Sequence, residues 1–109
     1  MPPDQTPYYR INNFTVPPES REAFLAIIAS THDVLRRQQG FVRDLILEQQ
    51  SGPGAFNFVS MIEFSGVEAV PHVTAALAEL DQLRGISRKE EAARLGVRTD
   101  MAGYGPLAI

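Results

Sequence analysis

The hydrophobic and polar residues of this chain follow two different periods. Four segments are predicted to be β-strands, and the first and third are rich in the aromatic and β-branched residues that are typical of strands. A short Ser-Gly-Pro-Gly turn separates the second segment from the third, and because it is too short for a crossover it predicts an antiparallel pair. The predicted strands are residues 8–16, 41–50, 56–64 and 98–109.

Two longer segments carry apolar residues at the spacing of an α-helix. Residues 19–40 begin with glutamates and end with arginines, which complements the helix dipole, and Gly40 provides a stop. The second helix begins at the capping-box pattern of Ser65 and Glu68, and Pro71 predicts a kink or a 3₁₀ start there. Their apolar stripes are Phe24, Ile27, Ile28, Thr31 and Leu35 in the first helix, and Val70, Val73, Leu77 and Leu80 in the second.

A third, shorter helix is predicted at residues 88–95, where Ser87 and Glu90 repeat the capping pattern. The two long helices and four strands follow the order β-α-β-β-α-β, which is that of the ferredoxin-like α+β fold. This fold has one four-stranded antiparallel sheet with the helices on one face. We expect a single domain at residues 8–109 behind a flexible leader at residues 1–7.

The opposite face of such a sheet carries no helix. Candidates for apolar residues on that face are Leu45, Leu47, Val59 and Met61. A sheet with an uncovered apolar face usually binds a partner. We therefore expect a homodimer in which two sheets pack face to face.

Composition narrows the range of partners. The net charge of −3 comes from interspersed acidic and basic residues, so the chain has no basic stripe for nucleic acid. No apolar run approaches the length of a membrane span, and the leader lacks the basic and apolar regions of a signal peptide, which indicates a cytoplasmic protein. With no cysteine and only two histidines, the sequence predicts neither a disulfide nor a metal site.

Two adjacent asparagines, Asn12 and Asn13, stand in the middle of the first strand, where asparagine is uncommon. Alternation places Asn12 on the same face as Phe14 and Val16, which have the character of helix-side core residues. Asn12 should therefore point between the sheet and the helices, where a buried amide needs partners. It is either a structural amide that holds a neighbouring backbone group or a contact to a ligand.

Four further side chains are candidates for chemistry or binding. His72, early in the second helix, could accept a proton or bond a ligand, or could be a half-exposed helix residue. His32 lies beside the apolar stripe of the first helix, as a core residue or part of a pocket wall. Tyr104, between two glycines, could reach a pocket with its hydroxyl or pack against a dimer partner, and Phe64 is a candidate core aromatic.

Three segments resemble one known family. They are "INNFTVPP" with the helix that follows, "RRQQGFVRDLILE" and "MIEFSGVEA". They resemble the antibiotic biosynthesis monooxygenase superfamily over about residues 8–85, and most of all its polyketide anthrone oxygenases. In particular, "NNFTV" is similar to an "NRFTV" pattern of those enzymes, and "QQGFV" is similar to "QPGFV".

The resemblance implies sheet-to-sheet dimers and oxygen chemistry without metal, flavin or other cofactor. An anthrone has an acidic carbon opposite a carbonyl, and its enolate can pass an electron to oxygen directly. The protein then needs to bind a flat substrate, stabilise the enolate oxygen and exclude water. The family's strand-one asparagine corresponds to Asn12, with Asn13 at the family's arginine position, and its strand-three tryptophan corresponds to Phe64, which has no N–H donor.

These observations lead to a hypothesis of a cofactor-independent monooxygenase for an anthrone or a quinol. Catalytic candidates are Asn12 as hydrogen-bond donor and His72 or Tyr104 as a proton-transfer or orienting group, with Phe64 as a stacking wall. Two alternatives remain, because a fold does not determine a function. One is a polyketide cyclase or isomerase on the same fold, and the other is a non-catalytic dimer that binds a small molecule. Val73 and Leu83 stand where haem-degrading relatives carry functional residues, so no haem is expected. The other predicted pocket residues are Phe24, Ile28, His32, Leu35, Phe41, Val73 and Leu77.

Overall fold

A computed structural model describes residues 6–109 and contains a four-stranded antiparallel sheet with the strand order β2-β3-β1-β4. Three helices accompany it, and the ferredoxin-like α+β prediction is confirmed. Of the predicted leader, residues 1–5 lie outside the described part of the chain. The elements are β1 (Tyr8–Thr15), α1 (Arg21–Leu35), β2 (Phe41–Glu48), β3 (Phe58–Phe64), α2 (Val70–Arg84), α3 (Arg88–Arg94) and β4 (Arg98–Tyr104).

Strand β3 shows how the two faces of the sheet differ. Its burial alternates strictly: Phe58, Ser60, Ile62 and Phe64 are buried on the helix side, whereas the residues between them are partly exposed. Asn12 of β1 is paired with Ser60, so Asn12 also faces the helices, as predicted. The same register places Leu45, Leu47, Val59 and Met61 on the open face, and their predicted positions are confirmed.

The core is divided into two apolar clusters, one toward each end of the central strands. The first contains Phe14, Phe24 and Phe58, whose rings meet edge-on or tilted at centroid distances of 4.9 and 5.1 Å. The second contains Ile62 and Phe64 with residues of α1 and α2. Along β3, Ser60 lies between Phe58 and Ile62, and therefore between the two clusters.

Several local predictions need correction. The third strand begins at Phe58 rather than at residue 56, because the Asn57 side chain bonds both the N–H and the C=O of Val16, each at 2.8 Å. The Ser65–Glu68 capping box is wrong: the 3₁₀ turn at Val67–Ala69 begins after Gly66, and no side chain caps it.

Other local predictions are confirmed. Helix α2 does start through a 3₁₀ turn, and the Ser87 hydroxyl accepts a hydrogen bond from the Glu90 N–H at 3.1 Å.

The last strand is shorter than predicted and ends at Tyr104. Gly103 permits a close approach of β4 to Tyr8 of β1, since a Cβ on Gly103 would collide with the Tyr8 ring.

Gly40 and Gly52 form a matched pair for measuring steric cost. Their φ angles are 93° and 92°, so alanine is strained equally at both. A Cβ on Gly40 would lie 2.9 Å from the Ala69 Cβ, whereas a Cβ on Gly52 would have no neighbour within 4 Å among the described residues. We predict that Gly52→Ala lowers the free energy of unfolding by about 1–2 kcal/mol and that Gly40→Ala costs more. Urea denaturation of both variants checks this, and equal losses would contradict it.

Candidate functional site

A cavity of about 710 Å³ lies between the sheet and the helices. Its wall comes from all three helices and from β1, β3 and β4, so it occupies the space between the two core clusters. Most of its lining surface is apolar, as is usual for a small-molecule site, although polar and charged side chains also line it.

Most of the predicted site residues come together in this cavity. They derive from separate elements, because the alternation of β1 and β3 and the stripe of α1 all point into the same space. The predicted residues that line it are Asn12, Phe24, Ile28, His32, Leu35, Phe64, Val73 and Leu77.

Three predicted residues lie elsewhere. His72 is exposed on α2 and does not line the cavity, so its suggested role in proton transfer has no geometric support here. Tyr104 lies on the open face of the sheet, paired with Tyr9 and 51% exposed, on the side expected to meet a dimer partner. Phe41 packs against the second core cluster rather than lining the cavity.

Asn12 is the uncharged polar side chain that β1 places on the cavity wall, together with the charged Arg10. Its Nδ2 donates to the Ser60 Oγ at 3.1 Å, and Ser60 is fully buried. The Oδ1 of Asn12 is buried without a hydrogen-bond partner among the described residues. Because a hydroxyl can donate or accept, a half-turn of the amide preserves the Ser60 bond and frees the NH₂ instead. Asn12 can thus offer a ligand an acceptor or a donor.

His32 is the second polar group deep in the wall, and it is only 1% exposed. Its Nδ1 lies 2.7 Å from the Asp44 Oδ2, and Arg36 Nε donates to the same oxygen at 2.9 Å. Burial alone would raise the pKa of the Asp44 carboxyl, but the hydrogen bonds from His32 and Arg36 and the Arg36 charge outweigh it and hold that pKa below its usual value. Asp44 is therefore an ionised carboxylate behind the imidazole.

Charged side chains border the cavity at the end of α2, at the start of α3 and on β1. Arg88 Nε donates to the Asp81 Oδ1 at 3.0 Å, and both line the cavity with Arg10 and Lys89. Within residues 6–109, no group of three His, Asp or Glu side chains comes together to hold a metal ion. The site consists of an apolar interior, the Asn12 and His32 side chains, and a charged border.

Sequence reasoning missed Ser60 and Asp44. The alternation of residues along β3 could have identified Ser60, since Ser60 shares the buried face of this strand with Phe58 and Ile62. Asp44 could not, because its importance depends on a contact with His32 on another element.

Comparisons with known proteins agree with this architecture. The sequence profile described as antibiotic biosynthesis monooxygenase matches residues 7–62, more than half of the chain. The chain belongs to this family. No curated protein sequence matches it significantly.

Solved structures share the fold along nearly the whole chain. SnoaB, a cofactor-independent oxygenase from Streptomyces nogalater, is 18% identical with a TM-score of 0.67 over 95% of this chain and 96% of its own. MupZ from Pseudomonas fluorescens is 19% identical with a TM-score of 0.67, over 97% and 73%. A haem-degrading protein from Mycobacterium tuberculosis is 12% identical with a TM-score of 0.62, over 97% of each. At these identities the similarity establishes the family fold and leaves the reaction open.

Among residues 6–109, none of the helices is both long and apolar enough to cross a membrane.

The lowered pKa of Asp44 makes part of the stability depend on pH. Its folded-state pKa lies below the unfolded value of about 3.9, so the stabilisation is present above that pH and is lost as pH falls through the folded value. We predict that the free energy of unfolding at pH 7 is higher for wild type than for the Asp44→Asn variant, and that this difference disappears at acid pH. Urea denaturation between pH 2.5 and 7 measures it.

The matched control is Asp33→Asn on α1. Asp33 forms an exposed ion pair with Arg37, and exposed pairs contribute little. We expect Asp33→Asn to stay close to wild type at every pH. A difference for Asp44→Asn that persists unchanged at pH 2.5 would contradict the linkage.

Proposed function

We propose that this protein is a cofactor-independent monooxygenase for a flat aromatic compound, either an anthrone, which has an acidic carbon, or a hydroquinone. The observation that supports it most is the Asn12 amide, which retains hydrogen-bonding capacity at the wall of a largely apolar cavity. Membership of the monooxygenase family is consistent with it.

The reaction of an anthrone needs no cofactor because the substrate is the reductant. Loss of a proton from the acidic carbon gives an enolate, whose electron pair is delocalised onto the carbonyl oxygen. Reaction with O₂ forms a carbon–oxygen bond, and cleavage of the O–O bond turns the CH₂ into C=O. One oxygen atom stays in the product and the other leaves as water, so four electrons pass from carbon to O₂.

The cavity provides the features that this reaction requires. The apolar walls around Phe24 and Phe64 exclude water, and Phe64, 2% exposed, presents a flat ring. An N–H of Asn12 would donate to the enolate oxygen as its charge develops, which stabilises the transition state more than the ketone.

Oxygen uptake with a simple tricyclic anthrone and a simple hydroquinone, in the presence of a chelator, tests the proposal. Chelator-insensitive uptake above the autoxidation background is the expected result. Conversion of the substrate without oxygen uptake would instead indicate an isomerase or cyclase. Saturable binding without turnover would indicate a binding domain, and either result would overturn the oxygenase proposal.

The adjacent asparagines allow a controlled test of the amide. Asn12→Ala removes the donor in the cavity, whereas Asn13→Ala makes the same change on the open face. We predict a loss of at least about tenfold in kcat for Asn12→Ala, because a preorganised donor to the enolate is lost. Asn13→Ala should keep wild-type turnover. Circular dichroism confirms that both variants fold, and equal turnover in the two would contradict the assignment.

We also propose that the protein acts as a homodimer joined through the open face of the sheet. Leu45 and Leu47 on this face are 48% and 52% exposed, next to Val59 and Met61. An apolar patch of this kind on a soluble domain is typical of an interface. Arg43 and Glu63, bonded at 2.7 Å, provide a polar border on the same face.

A charge on this face should separate the protomers. We predict that Leu45→Asp raises the dimer dissociation constant at least about tenfold, because the carboxylate would be buried without a partner. Leu83→Asp is the control, since Leu83 is 80% exposed on α2. Light scattering after size exclusion measures the mass of each variant. A monomeric wild type, or a dimeric Leu45→Asp variant at all concentrations, would contradict the proposal.

A further inference from the structure

His32 differs from an ordinary core histidine in its setting. It is almost completely buried, yet it lines a cavity large enough for a small molecule. A buried imidazole in an apolar wall costs free energy unless its nitrogens are used. Among the described residues, Asp44 is the partner of Nδ1, and Nε2 has none.

The Asp44 contact determines which nitrogen of His32 can act as a base. An ionised carboxylate at 2.7 Å accepts the proton of Nδ1–H, so the neutral imidazole carries its lone pair on Nε2. This tautomer is the one that can take a proton from a carbon acid. The carboxylate also stabilises the imidazolium that forms.

Arg36 binds the Asp44 carboxylate from the solvent side. It donates to the same Asp44 oxygen that receives the imidazole, and its side chain is half exposed. Asp44 itself is 12% exposed and does not line the cavity. The carboxylate is thus shielded from substrate and acts on it only through His32.

We propose that His32 is the base that removes the proton from the substrate carbon, with Asp44 as the residue that positions it. The inference rests on the proposed function, and it gives the cavity the proton acceptor that His72 and Tyr104 do not supply.

The proton and the electrons balance in this scheme. The C–H bond breaks, its proton goes to Nε2 of His32, and its electron pair goes into the enolate. O₂ then takes two electrons from the enolate as the C–O bond forms, and His32 returns the proton to the terminal peroxide oxygen. Removal of the second C–H proton forms C=O, the O–O bond breaks, and hydroxide leaves with that proton as water.

The two polar groups approach a substrate from different sides. Asn12 rises from β1, and Asp44 lies on β2, with β3 between them. Neighbouring strands are about 4.8 Å apart, so the two backbones are separated by about 10 Å across the sheet. The His32 side chain extends from α1 toward Asp44 on β2. A flat substrate between Asn12 and His32 could present its carbonyl oxygen to one and its acidic carbon to the other.

Proton removal can be measured without oxygen. Under anaerobic conditions, a simple tricyclic anthrone bound to the protein should lose its reactive-carbon deuterium to water and develop the absorption of its enolate. We expect His32→Gln to slow this exchange at least about a hundredfold, because glutamine can donate to Asp44 but has no basic nitrogen. Binding of anthrone, measured by equilibrium dialysis, should change less than threefold, and added imidazole should restore part of the rate.

Asp44→Asn provides a second, independent variant should His32→Gln fail to fold. An amide in place of the carboxylate favours the wrong tautomer of His32, so kcat should fall at least about tenfold with little change in KM. Asp33→Asn, with its carboxylate on the exposed side of α1, should leave kcat unchanged.

The outcomes separate this inference from the proposed function. Oxygen uptake by wild type and by His32→Gln at equal rates would overturn the role of His32 alone. Histidine-dependent exchange without oxygen uptake would support the base and overturn the oxygenase. Neither exchange nor uptake in folded wild type would overturn both.

Discussion

The pairing register of β1 and β3 is the constraint on which the rest of the structure depends. It places Asn12 opposite Ser60 and puts both on the face that the helices cover. A slip of one residue would move the helix-facing residues of β1 to the other face and destroy both core clusters. The same register separates those clusters with a polar pair, so the arrangement that forms the core also leaves a cavity within it.

Within that cavity, the proposed chemistry depends on two polar groups, the Asn12 amide and the His32 imidazole. Each is anchored by a hydrogen-bond partner, Asn12 by Ser60 in the cavity wall and His32 by Asp44 outside the cavity. Anchoring matters because a preorganised group does not need to be ordered when the reaction occurs. The surrounding rings and aliphatic side chains raise the strength of both interactions by excluding water.

Local patterns were sufficient to predict the fold and part of the cavity wall. Asn12 could be placed on the helix-facing side of β1 because it alternates in step with Phe14 and Val16. Phe24, Ile28 and Leu35 could be placed in the wall because they lie on one stripe of a helix. His72 falls outside the apolar stripe of α2, and its exposure follows from that position. The His32–Asp44 contact was beyond local reasoning, since it joins α1 to β2. The Ser65 cap failed because Gly66 keeps the chain extended before the turn.

The ring of Phe64 in the cavity wall is held by neighbours that lie outside the cavity. Tyr8 stacks on Phe64 at a centroid distance of 6.5 Å, and the hydroxyl end of the Tyr8 ring occupies the space that a side chain at Gly103 would need. Three strands are linked in this way. Because Gly103 of β4 has no side chain, Tyr8 of β1 can take the position from which it holds the Phe64 ring of β3. Substitutions at the sheet edge can therefore change the shape of the cavity without any change to the residues that line it.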